Sequence, residues 1–185
     1  MFMNSHIVIL SLSIIMWIGV FIYWVIKSRN QGVLNEIVGL AKLLFSGLIV
    51  YIPAIFRFQV SSLLSSLTVQ IFGLIVTGSG CFICILAREY LASNWSGKVV
   101  TQENHALIKI GPYKFVRHPI YSGVLVMMLG ASFIIGNFMS FYWVLLCFLG
   151  LFQKSKAEEK LLTEKFGESY EQYKKETKML IPYLI

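Results

Sequence analysis

The sequence predicts an all-α integral membrane protein with about five transmembrane helices, the last two folded back on each other as a hairpin. Three observations carry this expectation. Of the 185 residues, 57% are hydrophobic and only 14% charged, far from the balance of a soluble domain. The apolar residues gather in long blocks, and crossing roughly 30 Å of hydrocarbon takes about 20 helical residues with few charges. The cations are segregated along the chain, as membrane topology requires.

The first block, 7–26, carries no charge. Its apolar part is longer than that of a signal peptide and no basic stretch precedes it, so it is expected to remain as an anchor. The second, 37–56, holds only Lys42, close enough to one end to extend its ammonium to the interface. The third, 67–87, has no charge, and neither has the fourth, 119–152. As a single helix the fourth block would run about 51 Å, too long for one crossing. It is expected to reverse at Gly136-Asn137, since both residues tolerate left-handed backbone angles and glycine ends helices.

Charge placement tests this count separately. With the N-terminus outside and five crossings, Lys27, Arg29, Arg88, Lys98, Lys109, Lys114, Arg117 and the lysines from 154 to 178 fall on the cytoplasmic side, and only Arg57 falls outside. The net charge of +7 then reads as a topology signal and an affinity for anionic headgroups, not as a nucleic-acid surface. Cys81 and Cys84 form a CxxC within the third block, without histidine or acidic neighbours, and Cys147 stands alone in the last. Each reads as a small buried apolar residue, and no metal site is expected. No repeat or low-complexity linker divides the chain, so 1–185 reads as one domain, with a two-helix part at 1–66 and the chemistry-bearing part at 67–185. No GxxxG face appears in the blocks, so nothing specifies an oligomeric state.

The polar material lies in two long segments, 88–118 and 153–185, both on the predicted cytoplasmic side. A closed hairpin brings their near ends together at one membrane face. The tail reads as helix interrupted at Gly167, with Leu161, Leu162 and Phe166 and then Tyr170 and Tyr173 giving an apolar stripe. Between the segments stands RHPIYSG, residues 117–123. Pro119 suits the first helical position, where its missing N–H costs nothing. His118 then falls at the cap, and the residues before a proline are pushed into extended angles. Tyr121 follows at a spacing that shares a face with His118. Unpaired N–H groups at such a helix start favour an anion, to which Arg117 and His118 add donors. Just past the hairpin lies the pair Glu158-Glu159. As single residues, an arginine and histidine at a boundary also suit lipid phosphate, and carboxylates among lysines also suit surface ion pairs.

The ordered set HALIKIGPYKFVRHPIYSG, followed about 35 residues later by AEEKLLTEKFGESYEQYKK, resembles the C-terminal motifs of the isoprenylcysteine carboxyl methyltransferase family, and more loosely the phospholipid methyltransferases. The resemblance covers roughly residues 93–183. It implies a membrane methyltransferase in which His105, Ala106, Leu107, Ile108, Tyr113, His118, Pro119, Ile120 and Tyr121 line an S-adenosylmethionine pocket at the cytoplasmic face, covered by the loop and the C-terminal helix. Glu158 matches the family's cofactor-contacting glutamate. Lys154 stands where the family has an arginine facing the substrate carboxylate, keeping the charge but not the planar fork. Lys154, Arg117 and Glu158 are thus the residues expected to carry the reaction, on a prenylated cysteine or related lipophilic acid drawn from the membrane. Two alternatives stay open. One is N- or O-methylation of a phospholipid or small lipophile, with Tyr121, His105 or Glu159 as base. The other is an NADPH-dependent reductase of sterol type.

Overall fold

The computed structural model describes residues 2–30, 49–52, 66–91 and 107–184. These form five α-helices: α1 (Phe2–Asn30), α2 (Leu67–Leu91), α3 (Pro119–Ile135), α4 (Phe138–Phe166) and α5 (Glu168–Glu176), with short 3-10 turns at Ile49–Tyr51 and Gly111–Lys114. Three stretches among the described residues are long and apolar enough to cross a membrane, namely Ser5–Lys27, Leu67–Leu91 and Phe138–Phe166. Helix α3 is shorter, and its 17 residues span about 26 Å, close to the hydrocarbon thickness. Of the expected second span only 49–52 lies within the described residues, and Lys42 and Arg57 lie outside them.

The helices turn different faces inward: α1 buries a line that includes two tryptophans, whereas α2 buries small and polar residues, as close helix packing in lipid favours. On α1, Ile9, Ser13, Trp17, Val20 and Trp24 are buried, while Ile15, Ile18, Ile22 and Ile26 are exposed on the other side. On α2 the inward line is Gln70, Gly73, Thr77, Gly80, Cys84 and Ala87, with Phe72, Ile75 and Phe82 outward. The glycines let α2 and α3 meet backbone to backbone. A Cβ on Gly80 would lie 2.6 Å from the Gly123 carbonyl oxygen, and one on Gly73 equally close to that of Gly130. Cys84 is buried in this seam, where its thiol donates to the Ile120 carbonyl, and Cys81 and Cys147 are half-buried; no disulfide joins any of them among the described residues.

The reversal falls at Gly136-Asn137 as the sequence indicates. Gly136 adopts the left-handed conformation (φ 69°) and its N–H bonds the Ser132 carbonyl. Asn137 caps α4 by accepting from the Met139 N–H at 2.8 Å, so the turn satisfies its own polar groups. One difference emerges beyond it. The expected hairpin finishes at Phe152, whereas α4 continues without a break to Phe166. Nothing between residues 152 and 166 is a helix breaker, so the helix leaves the apolar layer and carries its charged turns onward until Gly167 ends it (φ 53°). The start of α3 therefore faces positions 154–159, not position 152.

Candidate active site

The corner begins where the chain must turn sharply ahead of α3. At Gly111 φ is +61°, and a Cβ there would sit 2.7 Å from the Tyr90 ring, so conformation and space both demand glycine. The turn that follows buries Tyr113. Its carbonyl accepts from the Tyr173 hydroxyl of α5 at 2.5 Å, and burial pushes the Tyr113 phenol well above its ordinary pKa, keeping it a neutral donor. Val116 then pairs with Lys178 as a parallel bridge. The X-Pro step acts on His118 alone, whose angles (φ −123°, ψ 60°) leave the helical region but stop short of the full extension expected from the sequence.

His118 caps α3 with Pro119 in the first turn, and Ile120 is buried behind it. The imidazole is buried between two carboxylates of α4. Its Nδ1 lies 3.4 Å from Glu158 and its Nε2 lies 3.5 Å from Glu159. Burial alone would lower the histidine's pKa; the two glutamates outweigh it and hold the value above 6.5. Tyr121 stacks on His118 with ring centroids 5.5 Å apart and planes 4° from parallel. It donates its hydroxyl to Glu158 at 2.6 Å. Lys154, one turn before Glu158 on α4, reaches the same carboxylate at 3.9 Å and sits 5.1 Å over the Tyr121 ring.

The structure thus brings together Tyr121, His118, Lys154 and Glu158 in one cluster, with Pro119, Ile120 and Tyr113 behind them. Leu107 and Ile108 are half-buried nearby in the chain, and Ile108 packs on the core. His105 and Ala106 lie outside the described residues. Arg117 is placed differently from the expectation that it faces a cofactor. Its Nε donates to Glu159 at 2.6 Å, and its Nη1 donates to the carbonyls of Thr177 and Lys174. Arg117, His118 and Lys154 thus face Glu158 and Glu159 across the corner.

Arg88 is a residue that sequence reasoning counted only as a topology charge. It is 0% exposed in the last turn of α2, with its guanidinium 5.7 Å over the Trp24 ring. A basic residue in the last turn of a span gives no hint of whether it points to water or inward. Tyr170 and Tyr173, buried and packed edge to face, support the corner from α5.

Comparison with known proteins adds the following. The model of the isoprenylcysteine carboxyl methyltransferase family matches residues 69–164, just over half of the chain. The protein-S-isoprenylcysteine O-methyltransferase of Schizosaccharomyces pombe is 35% identical over 127 residues, covering 62% of this chain and 52% of that protein. Its namesake in Saccharomyces cerevisiae is 30% identical over 117 residues, 57% of this chain and 48% of that one. The methanethiol S-methyltransferase 1 of Bradyrhizobium diazoefficiens is 39% identical over 71 residues, 38% and 24% respectively. The chain spans about half the length of the isoprenylcysteine relatives it matches. Among solved structures, that of a eukaryotic intramembrane Ras methyltransferase aligns with a TM-score of 0.61 at 22% identity, over 81% of this chain and 53% of that one.

Proposed function

The chain belongs to the isoprenylcysteine carboxyl methyltransferase family, and from that premise we propose that it transfers a methyl group from S-adenosylmethionine to a lipophilic acceptor at the cytoplasmic membrane face. The acceptor of choice is the carboxylate of a prenylated cysteine or a related lipophilic acid. The observation that carries the reading is the cluster of Tyr121, His118, Lys154 and Glu158, where a helix start meets the emerging turns of α4.

The residues suit that cofactor. The Glu158 side chain is 21% exposed and can accept from a ribose hydroxyl or an amino group. The backbone N–H groups at the start of α3 favour an anion such as the methionyl carboxylate, and His118 Nε2, 3.5 Å from Glu159, adds a positive charge there when protonated. When bound, the cofactor supplies an electrophilic methyl group. A carboxylate acceptor is already anionic at neutral pH, so no residue has to remove a proton from it. The work left to the chain is to hold two groups in line and to exclude water. Lys154, 38% exposed, orients the acceptor from the open side through its ammonium. The apolar outer faces of α3 and α4 offer the acceptor a lateral approach from lipid, while the cofactor arrives from water.

One observation favours a second reading, a small thiol or other lipophile as acceptor. Lys154 presents a point charge in place of a planar fork, and a methanethiol S-methyltransferase is 39% identical to this chain over 71 residues. The test of the class is calorimetry on detergent-purified protein with S-adenosylhomocysteine and with NADPH. Saturable binding of the first alone is expected. Binding of NADPH without S-adenosylhomocysteine would replace the methyltransferase reading with a reductase.

A further inference from the structure

We propose that Arg117 and the C-terminal segment 177–180 are positioning elements of this corner, holding Glu159, and through it His118, where the pocket needs them. What the corner binds rests on the methyltransferase reading above; the positioning rests on the geometry alone.

Three kinds of contact tie the approach to α3 onto the end of the chain. The first is main-chain: Arg117 N–H donates to the Lys178 carbonyl at 2.8 Å, His118 N–H to that of Met179 at 3.1 Å, and Lys178 N–H returns to Phe115 at 3.4 Å. The second is the hydroxyl of Ser122, one turn into α3, which donates to the Leu180 carbonyl at 2.5 Å. The third is the Arg117 side chain, which joins the Thr177 and Lys174 carbonyls to the Glu159 carboxylate. The Arg117 and Glu159 side chains are only 9% and 10% exposed. Two such charges are tolerable only when each is held by its partner and the remaining donors and acceptors are filled. An exposed pair could come and go; this one cannot open without stranding both charges.

The consequence reaches His118. Glu158 and Glu159 of α4 face its two nitrogens, the Tyr121 ring of α3 stacks on it, and Arg117 precedes it in the chain. Lys154 acts on it through Glu158, and Tyr170 of α5 lies within electrostatic reach of Glu159 and Arg117. Arg117 also contributes a positive charge next to the imidazole. Its two possible roles therefore pull the histidine in opposite directions. Removing a mere neighbouring cation makes His118 easier to protonate. Removing a positioner frees Glu159 to turn toward water and makes His118 harder to protonate.

The experiment is an NMR titration of the His118 imidazole in the full-length protein in detergent, without cofactor, for wild type, Arg117→Gln, Arg117→Lys and Lys178→Pro. The last variant leaves Arg117 intact and deletes the N–H that bonds Phe115. Each is first checked for cooperative thermal unfolding. Arg117→Lys, which keeps the charge but loses the fork, replaces Arg117→Gln should the latter fail to fold. A shift of the His118 midpoint to lower pH in both an Arg117 variant and Lys178→Pro is the expected result. A rise or no change in either overturns the proposal. Calorimetry with S-adenosylhomocysteine on the wild type separates this from the functional reading: no binding together with lowered midpoints sinks the methyltransferase assignment and leaves the positioning standing, whereas binding with unmoved midpoints does the reverse.

Discussion

Glu158 is the residue at which the two limbs of the hairpin exchange chemistry, receiving Tyr121 and His118 from α3 and Lys154 from its own helix. Glu158→Gln keeps the shape and removes the charge. The expected result is a loss of S-adenosylhomocysteine affinity of about tenfold or more, roughly 1.4 kcal/mol, read by calorimetry, with a lower thermal midpoint as His118 loses one of its two carboxylates. His118 gives a pH prediction whose sign follows from its raised folded pKa. The charged imidazole's contribution to stability is complete below the unfolded value near 6.5 and is lost as pH rises through the higher folded value. The melting-temperature advantage of wild type over His118→Asn should therefore be largest in mild acid and shrink toward alkaline pH; an advantage that grows with pH would contradict the pairing with Glu158 and Glu159. At this scale much was legible. The proline fixes the cap, the cap fixes His118, and the next face-sharing position is Tyr121. The partners of Arg117 were not legible because the direction of a side chain ahead of a helix depends on its tertiary contacts, here with a tail 60 residues away. Arg88 was illegible for the same reason.

Among elements, the seam between α2 and α3 decides the architecture. Gly73 and Gly80 meet Gly130 and Gly123 so closely that any side chain would strike backbone. Gly80→Ala should lower stability by about 1–3 kcal/mol, the usual penalty for overpacking, seen as a lower melting temperature in detergent. Gly150→Ala, on a face of α4 with nothing within 4 Å of the new methyl group, should be neutral or stabilising by up to about 1 kcal/mol. Equal effects of the two would mean that the seam is not a close contact. The spacing of seven between paired glycines explains why no GxxxG face stood out in the sequence. Helices apolar all round give little periodic signal, so which face turns inward becomes visible only when small residues on one helix find small residues on another. The turn at Gly136-Asn137 was legible because it rests on local chemistry. The unbroken run of α4 into the tail was not, since an apolar block ends where its charges begin but a helix ends only at a breaker.

At the scale of the molecule, length, hydropathy and the ordered motifs were enough to foresee an all-α membrane methyltransferase fold. The family match and the alignment to a solved intramembrane methyltransferase agree with that. The expected count of five spans reaches beyond the described residues at its second member. On the proposed reading, the division of labour follows from two substrates that live in different phases. The start of α3 is buried with His118 and Tyr121, the hairpin above it is apolar, and one unbroken helix carries Lys154 and Glu158 to the same corner. The central claim is transfer of a methyl group to a lipophilic carboxylate, and the direct measurement uses protein in phospholipid vesicles with S-adenosylmethionine labelled in its methyl group. The acceptors to compare are a farnesylated cysteine with a free carboxylate and the same compound as its amide. Incorporation of label into the acid as a base-labile ester, with none into the amide, is the predicted result. No incorporation into the acid by protein that still binds S-adenosylhomocysteine would contradict it.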